Sequence, residues 1–548
     1  MGVLDIVLRP SVLAFVALVA VYAAYSRYQA QKVIPIGIPQ VNKDERIKKT
    51  KTTPELFKAL KEHFSDKGLR YIYTAPGSDP LTVLPPSEMP WIISQPDSVL
   101  SAQEMHREQL QSDWVFLNQN IVQTPLHEHV IRANMVRSLN DFTDPVMDEL
   151  RQCCEDYWGS STEWKEVNIW ESMLKFFSRT SNRMFVGLPL CRDETFLDAC
   201  RGYASNIIVS GIFLKMMPQW FKPVLGYAAI APTWWHFRKA SHYLYPLIEK
   251  RLKIVEENPE KDPKDLLPND FVTWSIIMAQ KSPDPKERTP ELIAKRTMTT
   301  NFAAIHTTTM TSTNLLIDIL SSNPDDGVVE ALREEVDGID KRNSGDWSKA
   351  SLAAMTRTDS ALRESMRLSG FVVWGVARKV IAPKGVDLPD GTHLPYWADV
   401  GVPAYAMHQD TETYEDPFSY DAFRFSRQRE ALDGSNASVH VGEEGLVKGE
   451  QGYVEQEKDL KKVLQGKNLS SVTTGADFMQ FGKSKYPIER GTADVLTSFR
   501  AWKTLLSRSL LRRSGDQALD GLHVAELRDS VYAFQARDEV DVSAVHES

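Results

Sequence analysis

Beyond Cys200 the chain has no cysteine; its four, at 153, 154, 191 and 200, are spread thinly through 548 residues. That is too few for a disulfide framework in a chain of this size, and the spacing matches no zinc-binding pattern. The four read as reduced, buried thiols in a reducing compartment. The sequence also lacks a basic excess: its formal net charge is −9, which argues against a nucleic-acid-binding face. It lacks internal repeats, and no long Gly/Ser linker divides residues 45–548. With 42% hydrophobic and 25% charged residues, the composition is that of a globular protein with neither a disordered nor a collagenous bias.

One long uncharged run is present near the start, from Ser11 to Tyr25 (SVLAFVALVAVYAAY). The run has no convincing small-residue cleavage site, which argues against a removed signal peptide. With Arg9 reaching toward one interface, about 20 residues can just span a bilayer. Arg27 and Lys32 after the run favour that side as cytoplasmic. The expected arrangement is therefore an N-terminal transmembrane helix over residues 1–27 and a proline-containing hinge over 28–44, followed by a cytosolic domain. The sequons at Asn436 and Asn468 would then stay unmodified. A second apolar surplus spans 205–237. Lys215, Pro218, Lys222 and Pro223 break it as a membrane span, leaving two readings. Its helices and loop either dip into a membrane surface and admit greasy substrates, or form an ordinary buried helix pair.

A hairpin is readable at 70–84, where Arg70-Tyr-Ile-Tyr-Thr and Leu-Thr-Val-Leu84 flank a Pro-Gly-Ser-Asp-Pro turn. From about 100 to 365 the pattern is helical, punctuated by prolines at 125, 189, 218, 223, 232 and 268. A β-rich zone follows at 371–405, and 426–470 reads as a polar surface loop. The expected architecture is a mostly α chain with small β-sheets, forming a single large domain.

Four constellations carry chemistry. Glu364 and Arg367, three apart in a helical run, share a helix face and can pair. Alone, such a pair is usually a solvated surface bridge. Farther on, Pro417-Phe-Ser-Tyr-Asp-Ala-Phe-Arg424-Phe sets an arginine between two aromatics. A long helix starts at Thr289-Pro290 and stops before Asn323-Pro324. Its centre reads Phe302-Ala-Ala-Ile-His-Thr-Thr-Thr309, small residues followed by hydroxyls. This is either a groove that lets a flat group approach the backbone, or a threonine patch packed in a helix bundle with His306 a satisfied core residue. Lastly, Phe478-Met-Gln-Phe-Gly-Lys-Ser-Lys-Tyr-Pro487 forms an aromatic and glycine-containing loop.

In this order and separation, the motifs resemble those of the cytochrome P-450 superfamily of haem-thiolate monooxygenases, and Asn182–Asp193 resembles a stretch of its fungal microsomal members. The resemblance covers about residues 1–487. It implies that Glu364, Arg367 and Arg424 form a buried structural trio beneath the haem. It assigns Ala303 and Ala304 to an oxygen-binding groove. Thr307 takes the position of a hydroxyl that relays protons, and His306 stands where an acidic residue is usual. It further implies that Arg378 and Arg132 hold the haem carboxylates, that His129 stands in for a missing tryptophan beside Arg132, and that Phe481 belongs to the cysteine loop. The cysteine itself is absent: ungapped, its place falls at Ile488, which cannot ligate iron. Such an abrupt stop is the mark of a frameshift or a misread intron, with 488–548 an atypical C-terminal segment. The implied activity is oxidation of a hydrophobic secondary metabolite, terpenoid-like by preference. It would take place at the endoplasmic reticulum membrane, with haem as cofactor and an NADPH-dependent reductase as partner. The alternative is a haem-free pseudoenzyme or apolar-ligand binder of the same fold.

Overall fold

The structure is a computed structural model that describes residues 33–75, 78–135, 137–159, 166–344, 347–370, 372–435 and 478–479. The expected membrane segment, the part of the hinge before residue 33, the loop from Gln480 to Pro487, Ile488, the two sequons and the C-terminal segment lie outside the described residues.

The principal helices are α1 (Ala102–Gln109), α2 (Leu139–Cys153), α3 (Ile169–Phe185), α4 (Glu194–Met216), α5 (Lys222–Glu257), α6 (Phe271–Lys281), α7 (Pro290–Leu320), α8 (Val328–Arg342), α9 (Thr356–Leu368), α10 (Ala404–His408) and α11 (Arg424–Ser435). Strands β1 (Tyr71–Tyr73), β2 (Leu81–Val83), β3 (Leu100–Ser101), β4 (Gly375–Val380), β5 (Val386–Asp387), β6 (His393–Leu394) and β7 (Asp399–Val402) make a five-stranded sheet ordered β1-β2-β7-β4-β3 and a separate β5-β6 pair. The early hairpin forms with Tyr71 opposite Val83 and Tyr73 opposite Leu81.

Helix α7 is the axis of the molecule. Thr289 caps it by accepting from the Leu292 amide, and Pro290 occupies the first turn, where a missing N–H costs nothing. Most of its length is buried although it is rich in threonine. The hydroxyls of Thr297, Thr299, Thr300, Thr309 and Thr313 each donate to the carbonyl four residues back, so these polar groups enter the core already satisfied. Helices α3, α4 and α5 pack around it, and Asn182 on α3 donates to Asn301 on α7 at 2.8 Å. A second, smaller core lies over the sheet.

Two expectations are corrected. Pro232 does not punctuate the chain: it lies with Pro246 inside the 36-residue α5. Each proline removes one backbone bond, but packing of α5 against α4 and α7 holds the helix through both. The polar stretch from 426 is also not all loop, because it is helical to Ser435 within α11.

The segment 205–237 becomes the end of α4, a turn and the start of α5. Among the described residues no helix is long and apolar enough to cross a membrane. Nor is this an ordinary buried helix pair: Phe213, Met216, Trp220, Val224, Tyr227, Trp234 and Trp235 are all exposed.

Candidate functional site

The structure brings Glu364, Arg367 and Arg424 together. On α9 the i, i+3 spacing lets Arg367 clamp the Glu364 carboxylate through Nε and Nη2, both at 2.8 Å. Arg424, at the start of α11, adds Nε to the same carboxylate at 2.9 Å. Both partners of the first pair have fully buried side chains (0% exposed). The remaining donor of Arg367, Nη1, reaches the carbonyls of His408 and Pro417 at 2.6 Å each. The trio therefore ties α9 to the chain on either side of Tyr414, over whose ring the Arg367 guanidinium lies.

The same helix seats the start of the loop expected to end in cysteine. Arg363 lies with its guanidinium 3.9 Å from the Phe478 ring centroid, with Phe425 on another side at 4.7 Å. The next residue, Met479, donates its backbone N–H to Nε2 of His408 at 3.0 Å. Burial holds His408 down to about 3, with Arg367 and Arg363 adding to the effect. The ring is consequently neutral at ordinary pH and able to accept. None of this was read from the sequence, because neither Arg363 nor His408 belongs to a spaced motif. Phe481 and Ile488 lie outside the described residues.

At the middle of α7, Phe302, Ala303, His306, Thr307 and Met310 are half-buried while their neighbours are buried. Spaced i, i+1, i+4, i+5, i+8, they form one stripe along the helix that the surrounding packing leaves half-covered. Thr307 is on it, and its hydroxyl donates to the Ala303 carbonyl at 2.7 Å. Ala304 is not on the stripe: it is buried in the packed core. Phe116 covers one end, its ring centroid 6.1 Å from that of Phe302. His306 on the stripe shares a hydrogen bond of 3.3 Å with the Ser205 hydroxyl of α4, and burial holds its ring down to about 4.

The two arginines expected to face carboxylates sit differently. Among the described residues Arg132 makes one weak bond, Nε to the Glu128 carbonyl at 3.3 Å, and its buried Nη2 has no hydrogen-bond partner there. Arg378 is buried on β4 opposite Val400 and donates to the Ala377 carbonyl at 2.9 Å. His129 is exposed, and its hydrogen bond among the described residues is to the Pro125 carbonyl. The buried histidine of that segment is His127, held down to about 3 by burial and by Arg296, whose Nη1 lies 3.2 Å from its Nδ1.

These histidines make a pH prediction. In the unfolded chain each titrates near 6.5, whereas His127, His306 and His408 are depressed in the folded state. Below pH 6.5 unfolding therefore takes up protons. The stabilisation is full above that value and is lost as pH falls, by up to about 1.4 kcal/mol per pH unit for each histidine. Urea midpoints should drop between about pH 7 and pH 5; a constant midpoint would contradict neutral burial.

Two further buried ionic clusters carried no sequence signal. Glu149 on α2 is fully buried among Arg179, Arg192 and Arg183. Lys379 on β4 has a fully buried side chain between Glu108 (2.5 Å) and Asp399 (2.6 Å), and burial pushes Glu108 up to about 7.

A helical domain organised on one long helix with a half-buried stripe, together with a buried glutamate–arginine trio, agrees with what the family comparison finds. The family model described as Cytochrome P450 matches residues 102–440, and the chain belongs to that family. It is 31% identical over 437 residues to the cytochrome P450 monooxygenase htyF of Aspergillus rugulosus, covering 76% of this chain and 63% of that protein. It is 30% identical to gloP of Glarea lozoyensis, covering 70% and 72%, and 32% identical to ecdH of Aspergillus rugulosus, covering 67% and 71%; both are likewise cytochrome P450 monooxygenases.

The residues fit the haem of this family on one side only. The Nη2 of Arg132, without a partner among the described residues, the buried Arg378 and the half-covered stripe of α7 suit a porphyrin and its carboxylates. The thiolate has no counterpart. All four cysteines are free and buried in the helical core, and burial pushes the thiols of Cys153, Cys191 and Cys200 up, away from the thiolate form.

Proposed function

We propose that the chain is built for haem-dependent monooxygenation of an apolar metabolite, terpenoid-like by preference, with the axial cysteine belonging where Ile488 stands. The half-buried stripe around Thr307, set in an otherwise buried helix, is the observation that carries this reading. In the reaction, one atom of dioxygen enters a C–H bond of the substrate and the other leaves as water. NADPH supplies two electrons through a reductase. Bound haem supplies dioxygen activation, for which a thiolate is the favourable ligand. Arg132 and Arg378 hold its carboxylates. Thr307 offers a hydroxyl whose proton can be passed at Oγ1, and the apolar stripe orients the substrate and excludes water. The exposed aromatic and aliphatic residues at the α4–α5 turn support contact with a membrane, with residues 1–27 as the anchor and the endoplasmic reticulum as the site.

The absence of any cysteine beyond Cys200 favours a second reading, a haem-free binder of apolar ligands. Reduced, carbon-monoxide-treated samples of the full chain supplied with haem separate the two. Ile488→Cys is expected to give the difference spectrum of thiolate-ligated haem, and the unaltered chain is expected to give none. A folded Ile488→Cys protein without that spectrum would favour the binder. Re-reading the transcript around codon 488 for a frame restoring Cys-x-Gly-Arg tests the same point.

A further inference from the structure

The half-buried stripe of α7 carries side chains with no hydrogen-bond donor to spare, with one exception. Phe302, Ala303 and Met310 are apolar, and the Thr307 hydroxyl donates to the Ala303 carbonyl, which leaves it only lone pairs to offer. His306 is different. Among the described residues Ser205 is its only hydrogen-bond partner, at a long 3.3 Å through Nε2, which leaves Nδ1 uncommitted. Ser205 is itself half-buried on α4, where it meets His306 of α7 directly. Burial is the only cause acting on the protonation of His306, and no charged side chain contributes. The pair is a neutral donor–acceptor couple in a low-dielectric wall. A neutral imidazole and a hydroxyl can between them both give and take a hydrogen bond. They cannot offset a full charge, whose burial without a partner is far too costly.

We propose that His306 and Ser205 form a specificity-determining polar anchor for an uncharged substrate. Such a substrate is an apolar skeleton bearing a hydroxyl or carbonyl oxygen, which this pair holds so that the remainder lies along Phe302 and Met310. The inference rests on the reading of the stripe as a substrate site and gives that site a substrate class. It also assigns His306 a role in positioning, where the resemblance implied one beside the proton-relaying hydroxyl.

In a purely apolar cleft an added hydroxyl weakens binding, because it gives up water without a replacement. The sign of that effect is therefore diagnostic. Binding of adamantane and 1-adamantanol, the same cage without and with one hydroxyl, is measured on the detergent-solubilised full chain by tryptophan fluorescence with a cyclodextrin carrier. The unaltered protein is expected to prefer the alcohol. His306→Leu and Ser205→Ala should each reduce the alcohol-to-hydrocarbon affinity ratio by roughly tenfold, the worth of about one hydrogen bond to a buried group, with the hydrocarbon's own affinity held. A ratio unchanged in both variants, a preference for the hydrocarbon in the unaltered chain, or no binding of either probe would overturn the proposal. The readout needs neither haem nor electrons. Failure of the monooxygenase reading, seen in the carbon monoxide spectrum, is thus distinguishable from failure of the anchor.

Discussion

Arg367→Ala is expected to destabilise the fold by about 3–5 kcal/mol, the loss typical when one partner of a buried ion pair is removed. The Glu364 carboxylate would keep only Arg424 and the Asp421 amide, the latter at 3.3 Å, in a place with no access to water. The carbonyls of His408 and Pro417 would lose their donor at the same time. A loss of this size is a large share of the total stability of an ordinary domain. Chemical denaturation of the solubilised protein, or the yield of soluble protein where the variant does not accumulate, measures it. The double variant Glu364→Gln, Arg367→Ala carries no buried charge at 364 and should lose less than Arg367→Ala alone. A variant with an unchanged midpoint would show that the trio contributes little.

The second large effect is expected at Glu149. Its carboxylate has no exposure and is shared by Arg179 and Arg192, with Arg183 Nε at 3.9 Å. Glu149→Ala leaves guanidinium groups of like charge facing one another around a vacated volume. Arg179 retains Asp156 at 2.6 Å and Arg192 retains Asp148 at 3.0 Å, so the cost is set somewhat lower, at about 3 kcal/mol. Because α2 and α3 meet here, the loss should appear as early opening of these two helices, which hydrogen exchange on their amides would register. A loss confined to less than about 0.5 kcal/mol, the range of ordinary surface changes, would place the cluster among the energetically silent ones.

What the sequence disclosed and what it hid follow from the range of the forces involved. Helix α7 was legible at its start because its cap is written locally, in Thr289 and Pro290. Glu364 and Arg367 were legible as neighbours because three residues on a helix share a face. Arg424, sixty positions away, was joined to them only through the family resemblance. The Glu149 and Lys379 clusters were invisible because their partners come from distant elements with no periodicity to betray them. That Ala303 lies on the half-buried stripe and Ala304 in the core was not legible, because adjacent alanines look alike in a sequence while a helix turns them about 100° apart. Pro232 misled for the opposite reason: its local cost is real, but the packing of a long helix outweighs it.

The seating of Phe478 and Met479 has a practical consequence. Among the described residues, His408 is held through its carbonyl by Arg367, and Arg363 lies over the ring of Phe425 as well as that of Phe478. The scaffold therefore presents a ready splice junction. A cysteine-bearing segment grafted into this chain would be joined at Met479, where its point of departure is already set by the His408 contact.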